Sequence, residues 1–263
     1  LRSNWKDKLV WVTGASSGLG EAFAREFANQ GAKVVLSSRS EEKLEAILQT
    51  LPGENHKIIP VDVSNQDSIQ RAIQENAEIV SATDVLINNA GISQRALMTE
   101  TSLETERRIM ETNYFGATAL TKAVLPGMIN RKNGSIIVMS SPAGAFGFPL
   151  RSSYSASKHA LHGYFDTLRA ELKGSGITIT LALPGRVKTN MSINAMMGDG
   201  SNQGTMDERL NHGLEPDICA KRIMNAASKG KAELYLGREQ ALIYIKRYLP
   251  SLFRKIVTKF NPN

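Results

Sequence analysis

The stretch "YSASK", residues 154–158, sets a tyrosine and a lysine four positions apart with only small residues between them. On a helix, residues four apart share one face and lie about 6 Å apart along the axis. An unperturbed phenol has a pKa near ~10 and is a poor acid–base group at neutral pH. An adjacent ammonium favours the phenolate and lowers that pKa. Such a phenol can give a proton to a carbonyl oxygen as hydride reaches the carbon, or take one from an alcohol. Ser141, 13 residues upstream, is in a suitable place to hold the substrate oxygen. As an isolated pair, Tyr154 and Lys158 also fit a solvated helix face, so the surrounding elements must decide.

Short apolar, β-branched runs alternate along the chain with longer helical stretches. Strands are expected at 8–14, 32–38, 56–62, 84–91, 134–141, 177–185 and 231–237. Helical spacing is expected over 19–31, 66–80, 103–129 and 153–173. Strands apolar on both faces and alternating with helices imply a buried, seven-stranded, doubly wound parallel sheet of Rossmann type with helices on both faces. The pattern predicts one α/β domain over 1–263, which suits 263 residues of which 41% are hydrophobic. Residues 190–213, rich in Asn, Met and Gly, break the rhythm just after the sixth strand. They read as a mobile loop with short helices and a candidate lid, because α/β sheets bind ligands at the carboxyl ends of their strands. A variable surface insertion is the plainer alternative.

"TGASSGLG" (13–20) lies between the first strand and the first helix. Gly14 permits a tight turn, Gly18 lets backbone approach a phosphate, and Gly20 lets the helix pack close to the sheet. The helix N-terminus then offers free N–H groups to a diphosphate. The second strand ends in "LSSRS" (36–40), with no acid before Glu41. Arg39, flanked by Ser38 and Ser40, stands where a 2′-phosphate would sit, and an acid there would repel it. NADP(H) is therefore the expected cofactor. Asp62 ends the third strand and either borders an adenine or caps the following helix.

The ordered set Thr13–Gly20, Asp62, "NNAG" (88–91), "TNYFG" (112–116), "SS" (140–141), "YSASK" and "PGRVKT" (184–189) resembles the short-chain dehydrogenase/reductase family over essentially the whole chain. "METNYFGATALTKAVLPGMI" and "SYSASKHALHGYFDTLRAEL" look closest to its dehydrogenase/reductase member 7-like branch. The resemblance implies that Tyr154 is the acid/base and that Lys158 lowers its pKa and binds the nicotinamide ribose. It implies that Ser141, rather than Ser140, positions the carbonyl, and that Asn113 holds a proton-relaying water. Asn88, Asn89, Ala90 and Gly91 are expected along the cofactor, Thr189 at the nicotinamide amide, and Pro184 and Gly185 around its pocket. Ser16, Ser17, Leu19, Val63 and Val187 complete the expected cofactor contacts, and no metal is called for. The implied activity is NADP(H)-dependent hydride transfer between the nicotinamide and a carbonyl or secondary alcohol. Met191, Met196, Met197 and Met206 in the candidate lid suggest an adaptable apolar pocket, and so an apolar substrate. An NADP(H)-binding redox sensor or a peripheral membrane scaffold with little turnover stays open as the alternative. The family also implies a homodimer or homotetramer, built on the helices at 103–129 and 153–173.

The basic segment 238–263 holds six Lys and Arg against Glu239, so it carries +5 of the chain's +7. In "ALIYIKRYLPSLFRKIVTKF" (241–260) apolar residues alternate irregularly with cations, and Pro250 should divide any helix. This segment fits either a peripheral contact with an anionic membrane or packing against the body or a partner subunit. No nucleic-acid motif accompanies the charge, so nucleic acid is not expected as a partner. Cys219 is the only cysteine, which precludes an intrachain disulfide and fits a reducing compartment. No apolar run approaches the ~20 residues that span a bilayer. The expected location is cytoplasmic, with membrane association as the open alternative. The chain opens at Leu1 rather than Met, which leaves room for an upstream segment.

Overall fold

The computed structural model describes residues 5–259. Residues 1–4 and the end of the basic segment, 260–263, lie outside the described residues. Seven strands form one parallel sheet: β1 Leu9–Thr13, β2 Lys33–Ser37, β3 Lys57–Ile58, β4 Val85–Asn88, β5 Gly134–Met139, β6 Ile177–Pro184 and β7 Glu233–Leu236. Their spatial order is β3-β2-β1-β4-β5-β6-β7. The chain winds from β1 to β3 in one direction and then returns to β4 on the other side of β1. That reversal opens a crevice at the carboxyl ends of β1 and β4.

The period-2 alternation of strand side chains sorts the core into two layers. Val10, Val12, Val34, Leu36, Val85 and Ile87 face one layer, with Phe23 and Phe27 of α1 (Gly18–Asn29), Leu44 and Ile47 of α2 (Glu41–Leu48), and Ile223 of α8 (Pro216–Ser228). Trp11, Val35, Leu86, Ile136 and Val138 face the other. There they meet Ile69 and Ala72 of α3 (Gln66–Glu75), Val80 of α4 (Ala77–Ala82), Leu120 and Val124 of α6 (Gly116–Arg131), and Leu161 and Phe165 of α7 (Ser152–Glu171). Each fully buried large side chain contributes roughly 1.5–3 kcal/mol of transfer free energy. The buried Trp11 indole donates to Ser37 Oγ (2.8 Å), and Ser37 passes its own proton to Ile59 O (2.6 Å). The one polar atom on that ring is thereby satisfied by β2, which in turn bonds the residue just past β3.

Expected and observed elements differ where local chemistry intervenes. β3 is only two residues long and forms the edge of the sheet, where Pro60 sits at a position whose N–H would face away from β2. Pairing still continues past it through Ile59 N to Leu36 O (2.9 Å) and Val61 N to Ser38 O (3.0 Å). The helix expected at 66–80 breaks at Asn76, whose side chain donates to Ala72 O (2.9 Å). The stretch expected as one helix from 103 is α5 (Leu103–Met110), a π-turn (Glu111–Phe115) and α6. The π-turn carries Asn113, and such turns often mark functional sites. Residues 190–213 hold no α-helix, only a 3₁₀ turn at Glu208–His212 and isolated bridges that pair Met196 with Gln94 and Asn202. Pro250 divides the tail as expected, into α9 (Gln240–Tyr248) and α10 (Pro250–Val257). α10 buries Phe253 edge-on against Phe146 at 5.2 Å. Lys246 of α9 donates to Ala145 O (2.6 Å). The tail packs on the body, with Tyr244, Tyr248, Leu249 and Leu252 left exposed.

Candidate active site

The turn after β1 is shaped for close approach. Gly14 and Gly18 take φ of +65° and +56°, the region that side chains avoid. A Cβ on Gly20 would lie 2.1 Å from Gly14 O, so α1 can only pack this close with glycine there. Asn89 holds the turn from the side. Its Nδ2 donates to Thr13 O (2.9 Å), and the Thr13 hydroxyl accepts from both Asn89 N and Ala90 N (3.0 Å each). No side chain caps the first turn of α1, which leaves its N–H groups facing the cleft for an anion.

The second group of residues sits where α7 meets the end of β5. Lys158 Nζ donates to Met139 O (2.8 Å) and lies 5.8 Å from the centre of the Tyr154 ring. Ser141, just past β5, accepts from Ala143 N (3.2 Å), and its hydroxyl helps to hold down the Tyr154 pKa. Ser140 is turned instead to His162 Nε2 (2.9 Å). The backbone N–H groups of Ser153 and Tyr154 both donate to Gln94 Oε1 (2.9 and 3.1 Å), so a glutamine from the loop after β4 caps the helix that carries the tyrosine. Asn113 is buried behind the cleft wall. It accepts from Ile92 N (2.8 Å) and donates to Ile92 O (3.0 Å) and Ser157 Oγ (2.9 Å). A Cβ on Gly91 would come within 3.1 Å of Asn113 Oδ1 and 3.5 Å of Lys158 Nζ, so those two groups converge on one glycine.

Both groups open onto one cavity of about 610 Å³. Gly14, Ser16, Ser17, Gly18, Leu19 and Gly20 line it, as do Ser38, Arg39, Ser40, Asp62, Val63, Asn89, Ala90 and Gly91. Ser141, Tyr154, Lys158, Pro184, Gly185, Val187 and Thr189 line it as well. Asn88 does not: it points into the core and donates to Thr121 Oγ1 (2.9 Å), because successive strand residues face opposite sides. Asp62 does not cap α3 either. Asn65 does so, accepting from Ser68 N (2.9 Å), while Asp62 accepts from Ser64 and remains at the cleft. Thr189 caps no helix, and its methyl group packs against Gly18. Of the four lid methionines, Met191 and Met196 line the cavity; Met197 and Met206 are exposed away from it.

The electrostatics differ from the expectation in one respect. Burial pushes the Tyr154 phenol above its ordinary value; Arg151, then the Ser141 hydrogen bond, then Arg95 pull against it. The cations acting on the hydroxyl are thus two arginines. Lys158 is engaged with Met139 O, and no hydrogen bond joins it to the hydroxyl. Sequence reasoning missed Arg151, which sits three residues before Tyr154 at readable helical spacing. It also missed Lys43, Gln94 and Arg95. The last two lie in irregular backbone with no periodicity to place them.

Fold and cleft together place the chain among doubly wound α/β proteins of the short-chain dehydrogenase type. The family model described as short chain dehydrogenase matches residues 8–198, and the chain belongs to that family of oxidoreductases. It is 40% identical to the dehydrogenase/reductase SDR family member 7B of Xenopus tropicalis, over 94% of this chain and 84% of the relative. A short-chain dehydrogenase/reductase from Burkholderia phymatum, solved in complex with NAD, superposes with a TM-score of 0.83 at 23% identity, over 95% of this chain and 96% of that one. One from Burkholderia cenocepacia, solved with NADP, gives 0.80 at 24% identity, over 97% and 98%. At those identities the two structures establish the fold. No helix among the described residues is long and apolar enough to cross a membrane.

Burial lowers the Lys158 pKa from its ordinary 10.5 to about 8. Between those two values the unfolded chain binds more protons than the folded one, so this group makes stability rise with pH from about 8 to 10.5. Below about 8 the folded protein carries the full cost of a buried ammonium. The melting temperature of the wild type should therefore gain on that of Lys158→Met as pH climbs through this window. Parallel curves would dismiss the buried-amine account.

Proposed function

We propose that the protein is an NADP(H)-dependent oxidoreductase acting on a carbonyl or secondary alcohol, with residues 1–263 forming one catalytic domain. The observation that carries this reading is the meeting of Ser141, Tyr154 and Lys158 with the glycine turn in a single cavity. The site fits a dinucleotide, since added Cβ atoms on Gly14, Gly18 and Gly20 would each crowd the turn that a diphosphate must approach. Gly14, Ser16, Ser17, Gly18, Leu19 and Gly20 would hold the diphosphate, and Asp62 and Val63 the adenine. Asn89, Ala90 and Gly91 would flank the ribose, and Pro184, Gly185, Val187 and Thr189 the nicotinamide end. Bound there, the nicotinamide supplies or accepts hydride at the substrate carbon.

The chain's own groups handle the proton. A phenol kept protonated by burial is a proton donor, which suits reduction of a carbonyl. Tyr154 gives its proton to the carbonyl oxygen, and Ser141 holds that oxygen in line. Lys158 fixes the ribose hydroxyls, and Asn113, beside it at Gly91, holds the water that returns a proton. Tyr154→Phe should lower turnover by about a hundredfold or more on any working substrate, read by NADPH absorbance. Turnover close to wild type would remove Tyr154 from the mechanism.

The choice of NADP(H) over NAD(H) rests on the end of β2. Arg39, Ser38, Ser40 and Lys43 line the cavity there, whereas Glu41 and Glu42 do not. Two cations and no carboxylate favour a 2′-phosphate. Arg39→Ala should raise KM for NADPH about tenfold while leaving KM for NADH nearly unchanged. A loss shared equally by the two cofactors would speak against this assignment.

At the substrate end, Phe148, Pro149, Met191 and Met196 give an apolar wall, and residues 190–213 are read as its lid. We read the assembly as a homodimer or homotetramer through the faces of α5, α6 and α7, where Leu103, Phe115 and Ile129 are exposed. We also read α9 and α10 as a peripheral contact for anionic membranes, on a cytoplasmic protein. Exposed Tyr244, Tyr248 and Leu252 stand there beside Lys246, Arg247, Arg254 and Lys255. Light scattering should find more than one chain per particle. Flotation with anionic vesicles should be lost when those four cations become glutamine, and vesicle binding that persists would reject the tail as the contact.

A further inference from the structure

The substrate end of the cleft holds a cation that nothing in the proposed hydride-transfer mechanism uses. Arg151 lines the cavity immediately before α7, three residues before Tyr154 and so on the same side of the helix. Its neighbours are neutralised: Arg95 pairs with Asp207, and Arg186 with Glu239 at 3.4 Å. Arg151 itself makes no side-chain hydrogen bond or ion pair among the described residues. The backbone leading into it is strained, with Leu150 at φ +61°. A bulky residue in that region is uncommon.

We propose that Arg151 is the specificity-determining residue of the cleft, binding a carboxylate carried by the carbonyl substrate. The substrate class is then an oxo acid or the corresponding hydroxy acid, with its apolar remainder against Met191, Met196 and Phe148. This rests on the reading of the cleft as the hydride-transfer site, and it adds a charged anchor to an otherwise apolar pocket.

Three physical points support it. A partly buried guanidinium without a counter-ion is costly, and a ligand carboxylate relieves that cost through two parallel charge-assisted hydrogen bonds. Burial first, and then the like charge of Arg95, bring the Arg151 pKa from 12.5 down to about 10. Shape favours a carboxylate: its two oxygens lie in one plane and match the flat guanidinium fork. Arg151 and the Tyr154 phenol also interact electrostatically, so the anion and the reacting carbonyl belong close together in the substrate.

The test is binding to the NADPH-loaded protein, read calorimetrically and without turnover. Benzoate is compared with benzamide, and aliphatic and aromatic oxo acids with their methyl esters. In the wild type the acid should bind about tenfold tighter than its neutral partner, the effect of one charge-assisted contact. Arg151→Gln should erase the preference, and Arg151→Lys should keep part of it. A melting curve for each variant separates loss of the anchor from loss of the fold, and the wild-type comparison needs no variant. Equal affinity for acid and neutral partner, absence of carboxylate binding, or a preference that survives Arg151→Gln each overturns the proposal. An acid preference with no hydride transfer would instead remove the oxidoreductase reading of the cleft and leave the anion site standing. Turnover of neutral ketones without acid preference would do the reverse.

Discussion

One hydrogen bond fixes the geometry of the cleft: Lys158 Nζ to the carbonyl of Met139, 2.8 Å, buried between α7 and the end of β5. It joins the helix that carries Tyr154 to the strand whose next residues are Ser140 and Ser141. A lysine amine in so dry a place must have a partner, and the last carbonyls of a parallel strand are free to supply one. The contact has two further effects. It sets the amine against Gly91, beside Asn113 Oδ1, and 5.8 Å from the centre of the Tyr154 ring. The phenol is therefore governed by burial, opposed by Arg151, Ser141 and Arg95.

The loop after β4 integrates the two ends of the cleft. Asn89 clamps the glycine turn, Ile92 is held through both backbone groups by Asn113, and Gln94 caps α7 under Tyr154. Arg95 pairs with Asp207 of the 190–213 segment, while its backbone N–H donates to Met196 O (2.8 Å). Four residues within seven positions, Asn89, Ile92, Gln94 and Arg95, thus tie the nucleotide turn, the reactive helix and the lid segment to a single stretch of chain. Most of these bonds run between side chain and backbone, which specifies geometry where no regular ladder exists.

Much of this was legible in the sequence, for identifiable reasons. The central strands announced themselves because both faces are buried, so the apolar runs 34–36, 85–87 and 136–139 carry no polar break. The glycine turn was legible because Gly14, Gly18 and Gly20 are needed by backbone geometry alone. Arg39 and the Tyr154–Lys158 pair were legible because fixed offsets from a strand or along a helix constrain where side chains go. What escaped was set by tertiary contacts. The end of β3 depends on how the chain passes Pro60, and the break at Asn76 and the π-turn at Asn113 depend on packing against other elements. Asn88 and Asn89 are one residue apart and face opposite sides, a distinction that requires the strand register. Gln94 and Arg95 lie in irregular backbone, where sequence offers no period to read.

The arginines also change how the tyrosine should be understood. A lysine one turn along the helix was the natural source of positive potential, but the groups that oppose burial at the phenol come from outside that pair. Arg95 is committed to Asp207, so its field at the hydroxyl is partly cancelled. Arg151 is not so committed, and its field is the larger of the two. Any anion that engages Arg151 weakens that field and returns the phenol towards the value burial alone would give, which makes it a firmer proton holder. Substrate recognition and proton affinity are then coupled through one side chain. An anionic substrate would thus raise the proton affinity of a phenol that burial already keeps protonated, and so make its proton harder to release.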